Sequence, residues 1–161
     1  MKMIQAKMEQ QAVDAPIVLV VSEFNREVTQ ALQEGAVSQL LKKGISESNI
    51  MVVTVPGAVE IPMVAQRLAL TKRYSAIIAL GAVIRGETTH YDYVCQQVSH
   101  GCQKISLTYD IPVIFGVLTT ESEAQAWDRV GGEYGHKGVD AANAALAMVD
   151  ILQQLDTQQT D

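Results

Sequence analysis

Four short apolar runs, set apart by longer amphipathic stretches, constrain this chain more than any other feature. Residues 17–21, 50–55, 75–84 and 112–118 are rich in β-branched side chains and nearly free of polar ones. Between the first two lies 25–43, with Val28, Ala31, Leu32, Ala36 and Leu40 at helical spacing. Residues 92–109 repeat the pattern with Val94, Cys95, Val98, Cys102 and Ile105. Gly44 is placed to stop the first helix. Pro56-Gly57 ends the second run, and Pro62 is tolerable only in the first turn of a helix over 60–70. Segments 121–130 and 137–155 read as two more helices. Apolar runs without alternation belong to strands covered on both faces, and alternation of strand with helix makes their sheet parallel. The expectation is a three-layer α/β/α sandwich with a four-stranded parallel sheet, one domain over 1–161. Residues 1–14 form an N-terminal arm, in which 2–7 is a candidate extra strand for a neighbouring subunit's sheet edge. The chain is polar from Gln153, and 156–161 are expected to fray.

The bulk composition narrows the function. A chain of 161 residues with 48% apolar and 19% charged residues has room for one sizeable core and is not disordered. The net charge of −6 disfavours a nucleic-acid partner. No apolar stretch reaches the roughly 18–20 residues needed to span a bilayer, so no membrane partner is expected. Residues 1–14 lack an apolar signal core, which points to a cytoplasmic protein. Cys95 and Cys102 stand two helical turns apart, about 10 Å along the axis, beyond disulfide reach. They read as buried thiols. His100 and His136 share no spacing with cysteine or carboxylate that would hold zinc, so no metal is expected. A phosphate-binding loop with its lysine and a dinucleotide glycine fingerprint are both missing, and no cofactor is expected.

In an open parallel sheet, the residues just past the carboxyl ends of the strands share one rim. The first run delivers Ser22-Glu23-Phe24-Asn25 and the second Pro56-Gly57-Ala58-Val59-Glu60. The third delivers Gly86-Glu87-Thr88-Thr89-His90, and the fourth Thr119-Thr120-Glu121. Phe24 sits in a polar turn, either as a stacking platform for a flat heterocycle or as a staple onto the following helix. Phe115, inside the fourth run, reads as core. Gly57 and Ala58 open backbone amides to a polar ring, or merely permit a turn. Thr88, Thr89 and His90 at a helix start combine an anion site with a group that moves protons near neutral pH. Glu87 is an awkward neighbour for an anion unless its side chain turns to solvent. By composition alone, Arg129 and Lys137 are ordinary surface charges.

Taken together, these motifs resemble the lumazine synthases, and with them a flavodoxin-like sandwich. The matching pieces are Glu23-Phe24-Asn25, residues 55–62, residues 79–86, Thr88-Thr89-His90-Tyr91-Asp92-Tyr93, residues 112–121 and Lys137-Gly138, which together span about 17–149. The resemblance implies a transferase of riboflavin biosynthesis that works without metal or organic cofactor. It condenses 5-amino-6-ribitylamino-2,4(1H,3H)-pyrimidinedione with 3,4-dihydroxy-2-butanone 4-phosphate, releasing phosphate and water.

Roles follow from the same resemblance. Phe24 stacks on the pyrimidine, Ala58, Val59 and Glu60 hold the ring and ribityl chain, and Ala82, Val83 and Ile84 add contacts. Glu87 and Thr88 lie at the butanone phosphate, mainly through backbone amides, and His90 transfers protons. Phe115 and Arg129 come from the adjacent subunit of a homopentamer, Arg129 binding phosphate, with Asn25 and Lys137 near the site. Twelve pentamers can form a 60-subunit icosahedral shell, and riboflavin synthase is a candidate partner.

Three positions depart from the family pattern. Val59 replaces an aromatic, Glu87 a small residue and His136 an asparagine. The competing readings are a non-catalytic flavin or lumazine carrier on the same scaffold and an unrelated flavodoxin-like or signalling domain. A phospho-acceptor signalling domain needs an aspartate cluster at the strand ends, which this rim lacks.

Overall fold

The computed structural model describes residues 1–159. The first half runs β1 (Ile17–Ser22), α1 (Arg26–Lys42), β2 (Ile50–Val55), α2 (Ile61–Leu70) and β3 (Ala76–Ile84). The second runs α3 (His90–Tyr109), β4 (Val113–Thr120), α4 (Glu123–Trp127), β5 (Val130–Gly132), β6 (Gly135–His136) and α5 (Lys137–Gln159). The long strands form one parallel sheet in the order β2-β1-β3-β4. Ile17 lies level with Ile50 and Ala76, and Ile84 with Thr120, so every carboxyl end reaches the same edge. The three-layer α/β/α sandwich expected from the apolar runs is the fold observed.

Alternate residues of the two central strands supply two separate cores. Leu19, Ile78 and Leu80 pack with Leu32 of α1 and Ala142 of α5 on one face. Val18, Val20 and Ile77 pack with Ile61 of α2 and with Val98 and Cys102 of α3 on the other. Full burial of each large aliphatic side chain contributes roughly 1.5–3 kcal/mol. This is why β1 and β3 carry no polar residue before Ser22 at the rim. Gly44 stops α1 as expected, in a left-handed conformation at φ 103° that favours glycine.

The edges of the sheet differ from expectation. β2 is half open, with Met51 45% and Val52 36% exposed, and is not the buried strand its composition suggested. Phe115 on β4 is 44% exposed and not core. Both strands are terminal in the sheet order. A β-branched run looks the same whether one neighbour or two will cover it. Instead of one helix over 121–130, Ser122 caps the short α4 by accepting from the Gln125 amide, and the chain then turns back as the β5–β6 hairpin. Gly131 and Gly135, at φ 105° and 75°, allow that reversal. Helix α3 starts at His90, two residues before the position expected, and α5 continues to Gln159. Of the tail expected to fray, Thr160 and Asp161 lie outside the described residues. Residues 2–7 form no strand within this chain. The arm lies along α1 and α5, with the Lys7 amide donating to Asp150 and Lys43 Nζ to the Met8 carbonyl.

Both cysteines are free. Cys102 is buried as expected, but Cys95 is only half-buried. Burial pushes the Cys102 thiol up to about 11 from 9.0. A group whose value is raised on folding stabilises the fold below its unfolded value and loses that contribution as pH rises through the folded one. Stability should therefore decline between pH 9 and 11 more steeply in the wild type than in Cys102→Ala. Parallel curves in denaturant titrations across that range would contradict this.

Candidate active site

The ends of β1 and β3, the turn before α2 and the start of α3 enclose a cavity of about 330 Å³. Its apolar walls are Phe24, Ala58, Val59, Ala82, Val83 and Ile84, and Gly57 opens the α2 side. Gly86, Thr88, His90, Tyr91 and Val94 close it from the α3 side. Phe24 is held by its backbone, its amide donating to the Pro56 carbonyl at 3.1 Å. The residue is 72% exposed, whereas a staple onto α1 would be covered. Asn25 works behind the wall rather than in it. Its backbone is left-handed at φ 60°, a conformation asparagine tolerates. Its Nδ2 donates to the Ala82 carbonyl at 2.8 Å, tying the β1 turn to β3. Glu60 lies outside the lining, exposed at the foot of α2.

His90 is the first residue of α3 and is exposed. The first backbone N–H groups of a helix have no partner within it and carry the positive end of its dipole. The Thr88 hydroxyl accepts from the His90 amide at 3.3 Å, and Glu87 is exposed at the mouth. Two further carboxylates near this point are answered by Arg85. Its Nη2 lies 3.1 Å from Asp92 and its Nε 2.6 Å from Glu121, and its guanidinium sits 4.3 Å over the Tyr91 ring. Hydrogen bonds from Asp92 and then Glu121 hold the Arg85 guanidinium above its usual value. Arg85 thus draws the start of α3 towards the end of β4 while neutralising the acids beside the helix start. Burial raises the Tyr91 phenol, reinforced by the nearby Cys95.

Phe115, Arg129 and Lys137 lie elsewhere. They line a second concavity of about 360 Å³, bounded by β4 and α5, that shares no lining residue with the first. Arg129 stacks 4.4 Å over the Tyr134 ring and donates from Nη1 to the Gln125 carbonyl at 2.7 Å. Lys137 Nζ stands 3.6 Å from Asp140 in the same groove. Of the residues singled out in the sequence, Phe24, Ala58, Val59, Ala82, Val83, Ile84, Thr88 and His90 line the first concavity and Phe115, Arg129 and Lys137 the second, while Asn25, Glu60 and Glu87 line neither.

Sequence reading missed Tyr91 and Val94 as lining residues and Arg85 as the clamp. Tyr91 and Val94 follow directly from the helical spacing of residues one and four past His90. Arg85, a lone cation between an apolar strand and Gly86, offers no spacing signal, because its partners are brought together only by the β3–β4 register.

Comparison with known proteins gives one consistent answer. The profile of the family described as 6,7-dimethyl-8-ribityllumazine synthase matches residues 14–153. The chain is 53% identical over 140 residues to the 6,7-dimethyl-8-ribityllumazine synthase of Coxiella burnetii strain CbuG_Q212, covering 87% of this chain and 93% of that one. The proteins of the same name from strains RSA 493 / Nine Mile phase I and Dugway 5J108-111 match with the same identity and coverage.

Two glycines at the site differ in what they tolerate. Ser22 is buried beside Gly81, and its hydroxyl has no hydrogen-bond partner among the described residues. A Cβ on Gly81 would fall 2.9 Å from that hydroxyl and 3.4 Å from Val117, whereas one on Gly86 would meet nothing within 4 Å. Gly81→Val should destabilise the protein by about 1–3 kcal/mol through overpacking. Gly86→Ala should change stability by less than about 0.5 kcal/mol. Denaturant unfolding of the two variants checks the contrast, and equal effects would refute it.

Proposed function

The chain belongs to the 6,7-dimethyl-8-ribityllumazine synthase family, and from that premise we propose that its two concavities are the halves of one active site shared between adjacent copies. The enzyme condenses 5-amino-6-ribitylamino-2,4(1H,3H)-pyrimidinedione with 3,4-dihydroxy-2-butanone 4-phosphate, releasing phosphate and water, in the penultimate step of riboflavin biosynthesis. The observation that carries the shared-site reading is the separation itself: His90 and Phe24 line one cavity, while Arg129 and Phe115 line another with no residue in common.

The pyrimidine stacks on the exposed Phe24 ring against the apolar wall of Ala58, Val59 and Ala82 to Ile84. The chain has valine at position 59, so Phe24 supplies the aromatic face there. Glu60, at the rim, is placed to meet the ribityl hydroxyls. The butanone phosphate lies at the start of α3, against its amides and Thr88, with Glu87 turned outward. Arg129 of the neighbouring copy completes the cradle, Lys137 lies beside it, and Phe115 covers the heterocycle. The 5-amino nitrogen attacks the butanone carbonyl, and loss of water gives the imine. A proton then leaves the hydroxyl-bearing carbon as phosphate departs from its neighbour, and the resulting enol takes up a proton to become a new ketone. Attack of the ribitylamino nitrogen on that ketone, with loss of a second water, closes the ring. His90 moves these protons. Holding two substrates in contact converts a bimolecular encounter into a local one, which supplies much of the remaining acceleration.

A pocket and a groove on the same chain are different surfaces, so joining them between copies is a heterologous contact, which makes a ring where its rotation closes. A homopentamer is one such ring and is the assembly proposed, with an icosahedral shell and contact with riboflavin synthase as further proposals. Large exposed apolar side chains support burial in an assembly, among them Leu107 at 77%, Tyr93 at 64% and Trp127 at 40%. A cytoplasmic setting is part of the same proposal. Among the described residues no helix is long and apolar enough to cross a membrane.

Mixing the two substrates with the protein should give lumazine absorbance and stoichiometric phosphate above the uncatalysed background. A rate equal to that background would refute the activity. His90→Ala should slow turnover by about 10- to 1000-fold, the range for lost acid–base help, and an unchanged rate would remove His90 from its role. Light scattering should find an oligomer, and a purely monomeric solution would contradict the shared site.

A further inference from the structure

The β5–β6 hairpin and the start of α5 are joined through one side chain, His136. It occupies the position just before α5. Its Nδ1 accepts from the Gly138 amide at 3.1 Å and from the Val139 amide at 3.3 Å. These are the second and third residues of the helix, whose amides an N-cap side chain satisfies. The ring is slotted against α1 in space that a side chain elsewhere would fill. A Cβ on Gly35 would collide with the imidazole, and one on Gly138 would meet both the Leu32 carbonyl and the ring. His136 also pairs with Val130 across the hairpin, and the next amide, that of Lys137, donates to the Arg129 carbonyl at 2.8 Å.

We infer that His136 is a positioning residue for the anion half of the site, capping α5 as a neutral imidazole so that Arg129 and Lys137 are held together in the β4 groove. The inference rests on the reading above that this groove meets the substrate phosphate. Two amides pointing at Nδ1 require a lone pair there. A proton on Nδ1 replaces an acceptor with a donor, facing two N–H groups and the positive end of the helix. The cap therefore depends on an acceptor at this position, which a side chain without one cannot replace. The elements against the ring carry few charges near it. They are Glu34 of α1, Lys137 and Asp140 of α5, which pair with each other, and Arg129 before β5, which stacks on Tyr134. Among the described residues none of them is hydrogen-bonded or ion-paired to the imidazole.

Steady-state kinetics of the assembled wild type, His136→Ala, His136→Asn and Arg129→Ala test this. His136→Ala should raise KM for the butanone phosphate by about tenfold, a loss of the size expected for an N-cap, and leave KM for the pyrimidine within about twofold. Asparagine is a strong N-cap residue, so His136→Asn should restore that KM. Should His136→Ala fail to fold, His136→Asn decides alone: a phosphate KM within about twofold of the wild type supports the cap. An unchanged phosphate KM in folded His136→Ala, or a phosphate KM in His136→Asn raised as far as about tenfold, would overturn the inference. In that event a raised KM in Arg129→Ala leaves the phosphate reading standing, and an unchanged one removes it as well.

Discussion

Everything at the site depends on β3 running parallel between β1 and β4, buried on both faces. That register carries Ala82, Val83 and Ile84 to the rim at the level of Leu118, Thr119 and Thr120. The core residues Ile77, Ile78 and Leu80 are fully buried, so a slip of one residue would exchange two complete apolar faces. The register of the rim is therefore fixed where the pocket needs it. The loop beyond β3 is free to carry polar residues because the strand below it is held from both sides.

The same topology explains why the two concavities stay apart within one chain. β4 is the last strand of the sheet, and its outer edge has no strand partner among the described residues. The groove containing Phe115, Arg129 and Lys137 is bounded by that strand and α5, while the pocket containing Phe24 and His90 lies over β1, β3 and α3. Arg85 does not merge them, but it ties them mechanically. Its contacts with Asp92 and Glu121 join the first turn of the pocket's helix to the end of the groove's strand. In the proposed assembly each copy offers a pocket to one neighbour and a groove to the other, so the active geometry exists only at the contact.

Much of this was legible in the residues. The unbroken apolarity of β1 and β3 follows directly from burial on two faces, and Gly44, Pro56 and Pro62 mark element ends for stereochemical reasons. The pocket lining could be read because strand ends in a parallel sheet share one rim. What could not be read depends on which strands lie at the edges. Nothing in Ile-Met-Val-Val-Thr-Val shows that β2 is terminal, and Phe115 looks like core until β4 is known to lack an outer partner. The hairpin at 130–136 hid behind helix-forming neighbours. The cap formed by His136 depends on Gly35, about a hundred residues away, for its space. Arg129 and Lys137 resemble any surface cations when viewed along the chain, and their pairing with a substrate phosphate came from family resemblance.

The most direct test of the shared site is subunit complementation. Arg129→Ala keeps an intact pocket, and His90→Ala keeps an intact groove. Each alone should be impaired, His90→Ala in turnover by about 10- to 1000-fold and Arg129→Ala in KM for the butanone phosphate. Unfolding and reassembling the two together should restore activity at contacts where a His90-bearing pocket meets an Arg129-bearing groove, about a quarter of all contacts for random mixing in a closed ring. Activity in the mixture that never exceeds the sum of the separate variants would contradict a site divided between neighbours.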